Sequence, residues 1–384
     1  MTKSKRGPRG DGSMFERKDG TWQGQVPYQD EFGRSRRKYV TGKTQRDVKA
    51  KFRVVERAVQ DGMAIPNERL TVGDWLSEWL KQCQTSLRAS TYVSYESYVR
   101  IHLIPSLGNI PLRRLTALDI DRMQQRALKA GLSARTVELM RSVLRRALAV
   151  GLRYDLVSRN VAQLVSAKSG PRYRPTILSA DEALYLINGL WEDRLGALFV
   201  VAVTTGLRSG ELRGLQWQDI NLENGVLNVS RTLQKDLAGR LVLGDPKTDR
   251  SRRSLPLAAV AVEALKIHRD RQALGMTWLG EKWLESDFVF TTTTGTPLDG
   301  PNLLHRFHRL LLQIGLPKLR LHDLRHSCAT LLLSEGVELR VIMELLGHST
   351  IVLTANTYGH VSSGLKREAA DRMDGLFRKS DRLP

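Results

Sequence analysis

The sequence predicts a multidomain chain. A small α+β N-terminal unit of three strands and a helix comes first, an all-α unit follows, and a mainly α (α+β) unit completes it. Three observations predict this. At about 100–200 residues per domain, 384 residues give two or three domains with real cores. The hydrophobic period is near two at the start and close to 3.6 from Thr71 onward, with short strand-like runs returning after Val226. Finally, Ser166 to Thr176, with Lys168, Gly170, Pro171, Arg172, Arg174 and Pro175, has the composition of a basic linker. The expected division is therefore 1–66, 67–170 and 171–384.

In the first unit, Asp19-Gly20 signals a hairpin between Ser13–Arg17 and Thr21–Gln29, and Glu31-Phe32-Gly33 signals a second turn. Trp22, Val26 and Tyr28 alternate to one face of the second strand. The third strand, Arg34 to Val40, places Arg34, Arg36 and Lys38 on one face by its two-residue period. These three are either a solvated sheet face or the contacts of a sheet inserted into a major groove, which admits strands as well as helices. Thr44 with Asp47 caps a helix whose stripe is Val48, Phe52, Val55 and Val59.

The second unit reads as four helices. Thr71 with Asp74 opens one, burying Val72, Trp75, Leu76, Trp79 and Leu80. Ser90 starts a second, Tyr92–Leu103, stopped by Pro105. Thr116 starts a third that ends at Gly131, and Ser133 a fourth, Thr136–Val150, ending at Gly151. Arg141, Arg145 and Arg146 on the fourth are either solvated surface or phosphate contacts, and their density favours the second. In the third unit Ser179 and Glu182 form a capping box. An apolar helix follows at about 195–205 and another from Ser209. Val226–Leu233, Leu241–Leu243 and Arg253–Leu257 read as strands, and further helices run to the C-terminus.

Composition excludes several classes. The chain has 60 Lys and Arg against 40 Asp and Glu, a formal net charge of +20 and a pI near 10.2, with 41% apolar residues and a mean hydropathy of −0.30. That is a folded, soluble composition, and the basic excess favours a polyanionic partner, nucleic acid by default. Residues 1–66 and 67–170 each carry 16 basic and 8 acidic side chains, so a DNA-gripping surface is expected in the N-terminal 170 residues. Cys83 and Cys328 are too few and too far apart for a disulfide scaffold or zinc ribbon. Met1 to Phe15 is basic and Gly-rich, so no secretory signal is expected, and the longest apolar run, Leu195 to Leu207, is too short to span a bilayer. A cytosolic protein with no membrane partner is expected. Phosphate-loop, dinucleotide and metal-spacing motifs are absent, which predicts no cofactor and no metal.

Four short segments carry the chemistry. They are Thr205-Gly206-Leu207-Arg208-Ser209-Gly210-Glu211-Leu212, Pro246-Lys247-Thr248-Asp249-Arg250-Ser251-Arg252-Arg253, His322-Asp323-Leu324-Arg325-His326 and Leu346-Gly347-His348-Ser349. Tyr358 follows the last within Asn356-Thr357-Tyr358-Gly359-His360. Each is weak alone. In this order and spacing they resemble the tyrosine recombinase (phage integrase) family over about 175–384. The matching positions are Arg208, Lys247, His322, Arg325, His348 and Tyr358, with no departure. The middle unit is similar to that family's core-binding domain, and residues 1–66 look like the small sheet domain that some integrases use on arm-type sites.

The resemblance implies a site-specific DNA recombinase that integrates or excises a mobile element. Tyr358 would be the nucleophile, forming a 3′-phosphotyrosine link that stores the bond energy without ATP. A free phenol, with a pKa near 10, is a weak nucleophile and needs surrounding cations and a proton acceptor. Arg208 and Arg325 suit the non-bridging oxygens, because guanidinium forks match phosphate bidentately. The family gives protonation of the leaving 5′ oxygen to Lys247. His322 is a candidate base, and His348 a hydrogen-bond donor to the phosphate. The partners implied are double-stranded DNA, three further copies of the chain in a tetramer and a host- or element-encoded directionality factor. The C-terminal stretch Leu365, Ala369, Met373, Leu376 and Phe377 has helical spacing and either packs on its own domain or docks on a neighbour. A conjugative-transposon recombinase or a type IB topoisomerase would share the chemistry. A non-catalytic DNA-binding regulator would need no tyrosine at 358.

Overall fold

The computed structural model describes residues 13–29, 35–60, 70–166, 170, 175–246 and 251–347. The chain divides into two units, Met1–Pro171 and Arg172–Pro384. In the first, β1 (Ser13–Glu16), β2 (Trp22–Gln29) and β3 (Ser35–Gly42) form an antiparallel sheet in that order, with Gly20 at φ +76° in the first turn. The helix α1 (Gln45–Gln60) begins where the Asp47 N–H donates to Thr44 Oγ1 at 3.2 Å. Its Val48, Phe52 and Val55 meet Val26 and Val40 in a small core. Gly24 makes the approach possible, because a Cβ there would lie 2.9 Å from Val40 Cγ2 and 3.0 Å from the Phe52 ring.

Register shows which sheet face α1 covers, and it puts Arg36 and Lys38 on one face as expected. Gly24 pairs with Val40, Val26 with Lys38 and Tyr28 with Arg36. Arg36 and Lys38 therefore share the parity of buried Val40, on the side α1 covers, with Lys38 half-buried and Arg36 exposed toward the strand's start. The uncovered face carries Phe15 opposite Gln23, Tyr39 opposite Gln25, and Arg37 opposite Pro27. Phe15 and Tyr39 are exposed there. Arg34 lies outside the described residues.

The helical part of this unit follows its caps. Thr71 and Asp74 close a reciprocal box at the start of α2 (Val72–Ser86), and Thr116 and Asp119 do the same for α5 (Ala117–Lys129). Two expected stops do not stop. The helix α3 (Ala89–Tyr98) runs through a π-helical turn, Val99–Leu103, into α4 (Ile104–Leu107), which contains Pro105. Ile104 N–H reaches back to Val99 O, and this wide turn takes the proline's missing donor into the helix. The helix α6 (Ala134–Arg153), capped by Ser133, continues through Gly151. There the glycine makes room for Trp75: an added Cβ would sit 3.3 Å from its Nε1, which donates to Ala147 O at 3.0 Å.

Arg141 is a second correction. It is 7% exposed, its Nη1 donates to Ala162 O and Val165 O, and its Nε and Nη2 bind the Glu138 carboxylate. The guanidinium ties α6 to the segment after it and is almost fully buried. Arg145 and Arg146, one turn on, are exposed, with Arg146 5.8 Å from the Tyr95 ring centre.

In the second unit α7 (Ala180–Leu190) starts at the Ser179–Glu182 box, and α8 (Gly196–Thr205) is buried almost throughout. After α9 (Ser209–Arg213) come β4 (Ile220–Asn221), β5 (Val226–Val229), β6 (Thr232–Lys235), β7 (Leu241–Gly244) and β8 (Arg253–Pro256). The expected strand Val226–Leu233 is two. β5 joins β4 and β8 in one sheet, while β6 pairs with β7 in another. Buried Asp219 makes the break, accepting from Ser230 Oγ at 2.8 Å and pairing with Arg231 at 3.4 Å. The helices α10 (Ala259–Leu279), α11 (Gly300–Gln313), α12 (Leu321–Ser334) and α13 (Leu339–Leu346) complete the described part. Phe199 of α8 stacks on Phe307 of α11 at the centre of the core. Among the described residues no helix is long and apolar enough to cross a membrane.

Arg141→Ala should lower stability by about 1–3 kcal/mol, since it leaves Glu138 and two buried carbonyls without their donor. Arg145→Ala should stay within about 0.5 kcal/mol of the parent. Urea unfolding of the two variants checks the contrast, and equal losses would refute the structural role of Arg141.

Candidate active site

The site starts where α8 must stop. Gly206 takes φ +63° to end the helix, and a Cβ there would come within 2.4 Å of Leu346 Cδ2. Two residues later Arg208 precedes α9, its N–H donating to Glu211 Oε2 at 3.0 Å and its Nη1 to Oε1 at 2.7 Å. Arg208 is about one-third exposed and Glu211 almost fully buried. From β8, Arg253 Nη2 approaches the same carboxylate at 3.1 Å.

The helix α12 supplies the second arginine. Arg320 N–H donates to Asp323 Oδ2 at 2.8 Å, fixing the first turn that bears His322 and Arg325. Arg325 is 2% exposed, and its Nη1 donates to Gly206 O at 2.7 Å. The end of α13 brings everything together. Arg253 Nε donates to Leu345 O at 2.7 Å, Arg325 Nη2 to Leu346 O at 2.7 Å, and Arg208 Nη2 to Gly347 O at 2.8 Å. Three consecutive carbonyls thus take three arginines, and Gly347, at φ +64°, closes the helix.

Of the six residues expected here, Arg208, His322 and Arg325 converge. Lys247, His348 and Tyr358 lie outside the described residues, although Gly347 immediately precedes His348 in the chain. The carbonyl clasp and the part of Arg253 in it left no local mark in the sequence. The parity of Val40, by contrast, was available to assign the sheet face.

The cations set the protonation states. Desolvation, then the neighbouring His326, Arg325 and Arg208, push the His322 imidazole down to about 4 against an opposing pull from Asp323. His322 is an exposed residue whose ring its neighbours partly desolvate, and the two guanidinium groups act in the same direction as that partial burial. His326, edge-on to His322 at 4.9 Å between ring centres, is lowered too, chiefly by burial. Burial alone would raise the Glu211 carboxyl, but Arg253 and Arg208 hold it below the ordinary carboxylate value. Burial pushes the Cys328 thiol up to about 12, which leaves it protonated and unreactive. Among the described residues no three His, Cys, Asp or Glu side chains are grouped to hold a metal ion.

Two guanidinium groups and an uncharged imidazole suit the transfer of a phosphoryl group between oxygens. The forks bind the charged oxygens, and the neutral ring can accept a proton. Residues 177–364 match the Phage integrase family, and residues 71–128 match the phage integrase N-terminal SAM-like domain. An integrase of Streptomyces ambofaciens is 33% identical, over 98% of this chain and 99% of its own length. A tyrosine recombinase XerC-like protein of Caldanaerobacter subterraneus subsp. tengcongensis is 30% identical over 91% and 94%. The Tn1549 transposon integrase, solved with transposon right end DNA, shares the fold at a TM-score of 0.67 and 21% identity. The match covers 79% of this chain and 99% of that one. The fold and these relatives define a DNA strand-transfer enzyme. The chain belongs to the phage integrase family of tyrosine recombinases, and it is a site-specific recombinase that cuts and rejoins DNA to integrate or excise a mobile element.

The His322 ring should titrate near pH 4 in the free protein, followed by its imidazole resonances in NMR. The folded value lies below the unfolded 6.5, so its contribution to stability is complete above pH 6.5 and is lost as pH falls through 4. A midpoint above 6 would mean that burial and the neighbouring cations do not act on the ring in this way.

Proposed function

We propose that this recombinase cleaves each strand through Tyr358, with Arg208, Lys247, His322, Arg325 and His348 completing the site. What carries the reading is the convergence of Arg208, Arg325 and a neutral His322 beside the end of α13, from which the chain runs on to His348 and Tyr358. The Tyr358 hydroxyl attacks the phosphorus and its proton passes to His322. The bond to the 5′ oxygen breaks, and that oxygen takes a proton from Lys247. Arg208 and Arg325 neutralise the pentavalent phosphorane, while His348 donates to a non-bridging oxygen. The phosphotyrosyl ester conserves the bond energy, so attack by a new 5′-hydroxyl rejoins DNA without a nucleotide cofactor or metal. Exchange between two duplexes needs four such sites, hence a tetramer passing through a Holliday intermediate in the cytoplasm of a bacterial host. Direction would be set by a host- or element-encoded factor.

Residues 1–66 are read as an arm-type DNA-binding domain, 67–170 as the core-binding domain and 171–384 as the catalytic domain. The uncovered sheet face supports the first assignment, since Gln23, Gln25, Arg37 and Tyr39 offer donors and an aromatic on one face of a three-stranded sheet, and a major groove admits strands. Arg145 and Arg146 remain candidates for phosphate contacts on the core-binding domain.

Tyr358→Phe should bind a core-site duplex, taken from a mapped integration junction, as well as the parent and form no covalent adduct. A persistent protease-sensitive link would require another nucleophile. Arg208→Ala and Arg325→Ala should each slow cleavage by about 10²–10³, the size expected when a preorganised donor is removed, and cleavage should persist in EDTA. Recombination between two defined sites separates this reading from a topoisomerase, which would relax supercoils and exchange nothing.

Arg37→Ala with Tyr39→Ala should weaken binding to arm DNA and reduce its salt slope by about 0.9 for each phosphate that is no longer neutralised. Arg36→Ala with Lys38→Ala should do less. Gel-shift titration over a salt series measures both, and the reverse ranking would assign DNA binding to the covered face.

A further inference from the structure

We infer that Arg253 is a positioning residue of this active site. It keeps the charge of Arg208 available to the DNA phosphate and pins the end of α13 that leads into His348. The inference rests on the proposed role of Arg208.

Arg253 opens β8 and is almost fully buried, with its side chain 8% exposed. Every nitrogen of its fork is committed. Nε donates to Leu345 O at 2.7 Å, Nη1 to Ser251 O at 3.0 Å, and Nη2 to Glu211 Oε2 at 3.1 Å. Glu211 in turn accepts both the backbone N–H and Nη1 of Arg208. A carboxylate at this distance would by itself cancel Arg208, leaving a neutral pair where an anion must bind. The second guanidinium changes the balance, since Arg208, Glu211 and Arg253 together carry one net positive charge. Arg253 is the member turned inward, so the uncompensated charge falls on Arg208, the more exposed of the two arginines.

The same fork does a mechanical task. The final carbonyls of a helix lack intrahelical partners and carry its negative dipole end, so they hold cations well. Arg253 takes the first of the three and Arg208 the third. Loss of Arg253 would free Leu345 O and let Glu211 draw Arg208 toward itself, loosening the end of α13 and neutralising the anion site together. Lysine could supply the charge but not the three-way fork.

The test is single-turnover formation of the covalent complex by the full chain on two core-site duplexes. One has the natural scissile phosphodiester and the other a methylphosphonate there, which carries no charge for Arg208 to neutralise. Arg253→Met should bind core DNA normally and cleave the phosphodiester about 10–100-fold more slowly, the usual size for a partner that acts through another residue. It should lose much less on the methylphosphonate, as Arg208→Ala should. Arg253→Lys should keep the parent's ratio between the two substrates even where its absolute rates are lower, and Arg253→Gln, uncharged but polar, replaces Arg253→Met if that variant fails to fold. Equal losses on both substrates by the uncharged variant, or its parental rate on the phosphodiester, would overturn the inference while leaving the assignment of Arg208 intact. An Arg208→Ala variant that cleaves like the parent would instead overturn the reading of the site and this inference with it.

Discussion

The last turn of an α-helix leaves carbonyl oxygens without intrahelical partners, and at the end of α13 three of these in succession are taken by arginines from three other elements. Arg253 comes from β8, Arg325 from α12 and Arg208 from the turn before α9. Each bond is charge-assisted and worth about 1.5–3 kcal/mol net, which offsets the cost of gathering like charges at one place. The arrangement needs both glycines that flank it. Gly206 lets the chain pass under Leu346, and Gly347 turns the backbone so that its carbonyl meets Arg208.

The same interactions set the electrostatic character of the site before any DNA arrives. Arginines held by neutral carbonyls keep their charge, whereas arginines held by carboxylates lose its effect at a distance. Among the described residues one carboxylate, Glu211, touches both Arg208 and Arg253, and two cations share it. Desolvation first, and then His326 and the two arginines, keep the His322 ring uncharged. A phosphate entering here supplies the negative charge that the protein withholds.

Charge elsewhere in the chain is sorted by burial. Arg141 and Arg145 are four positions apart on α6, so they lie close to the same side of the helix, yet one is spent on Glu138 and two carbonyls while the other meets solvent. The N-terminal sheet shows the same sorting across a strand. Arg36, Arg37 and Lys38 are consecutive, and only the alternation of the pleat sends Arg37 to the side that α1 leaves open. Density of basic residues is therefore a poor guide to what an individual side chain does.

The sequence by itself determined what depends on neighbours within about four residues and on period. It determined the capping boxes at Thr71 and Ser179, the helix start at Thr116, the hairpin at Asp19-Gly20, and the order of motifs that places Arg208, His322 and Arg325 at the starts of their elements. Tertiary structure alone decided the rest. Pro105 did not end its helix because a π-helical turn absorbed it. The strand from Val226 broke because Asp219, buried in the core, drew in Ser230 and Arg231. The clasp at α13 joins Arg208 and Arg253 to carbonyls 139 and 92 positions away along the chain. A carbonyl oxygen is the same on every residue, so no side-chain pattern could announce which three would be left for the arginines to find.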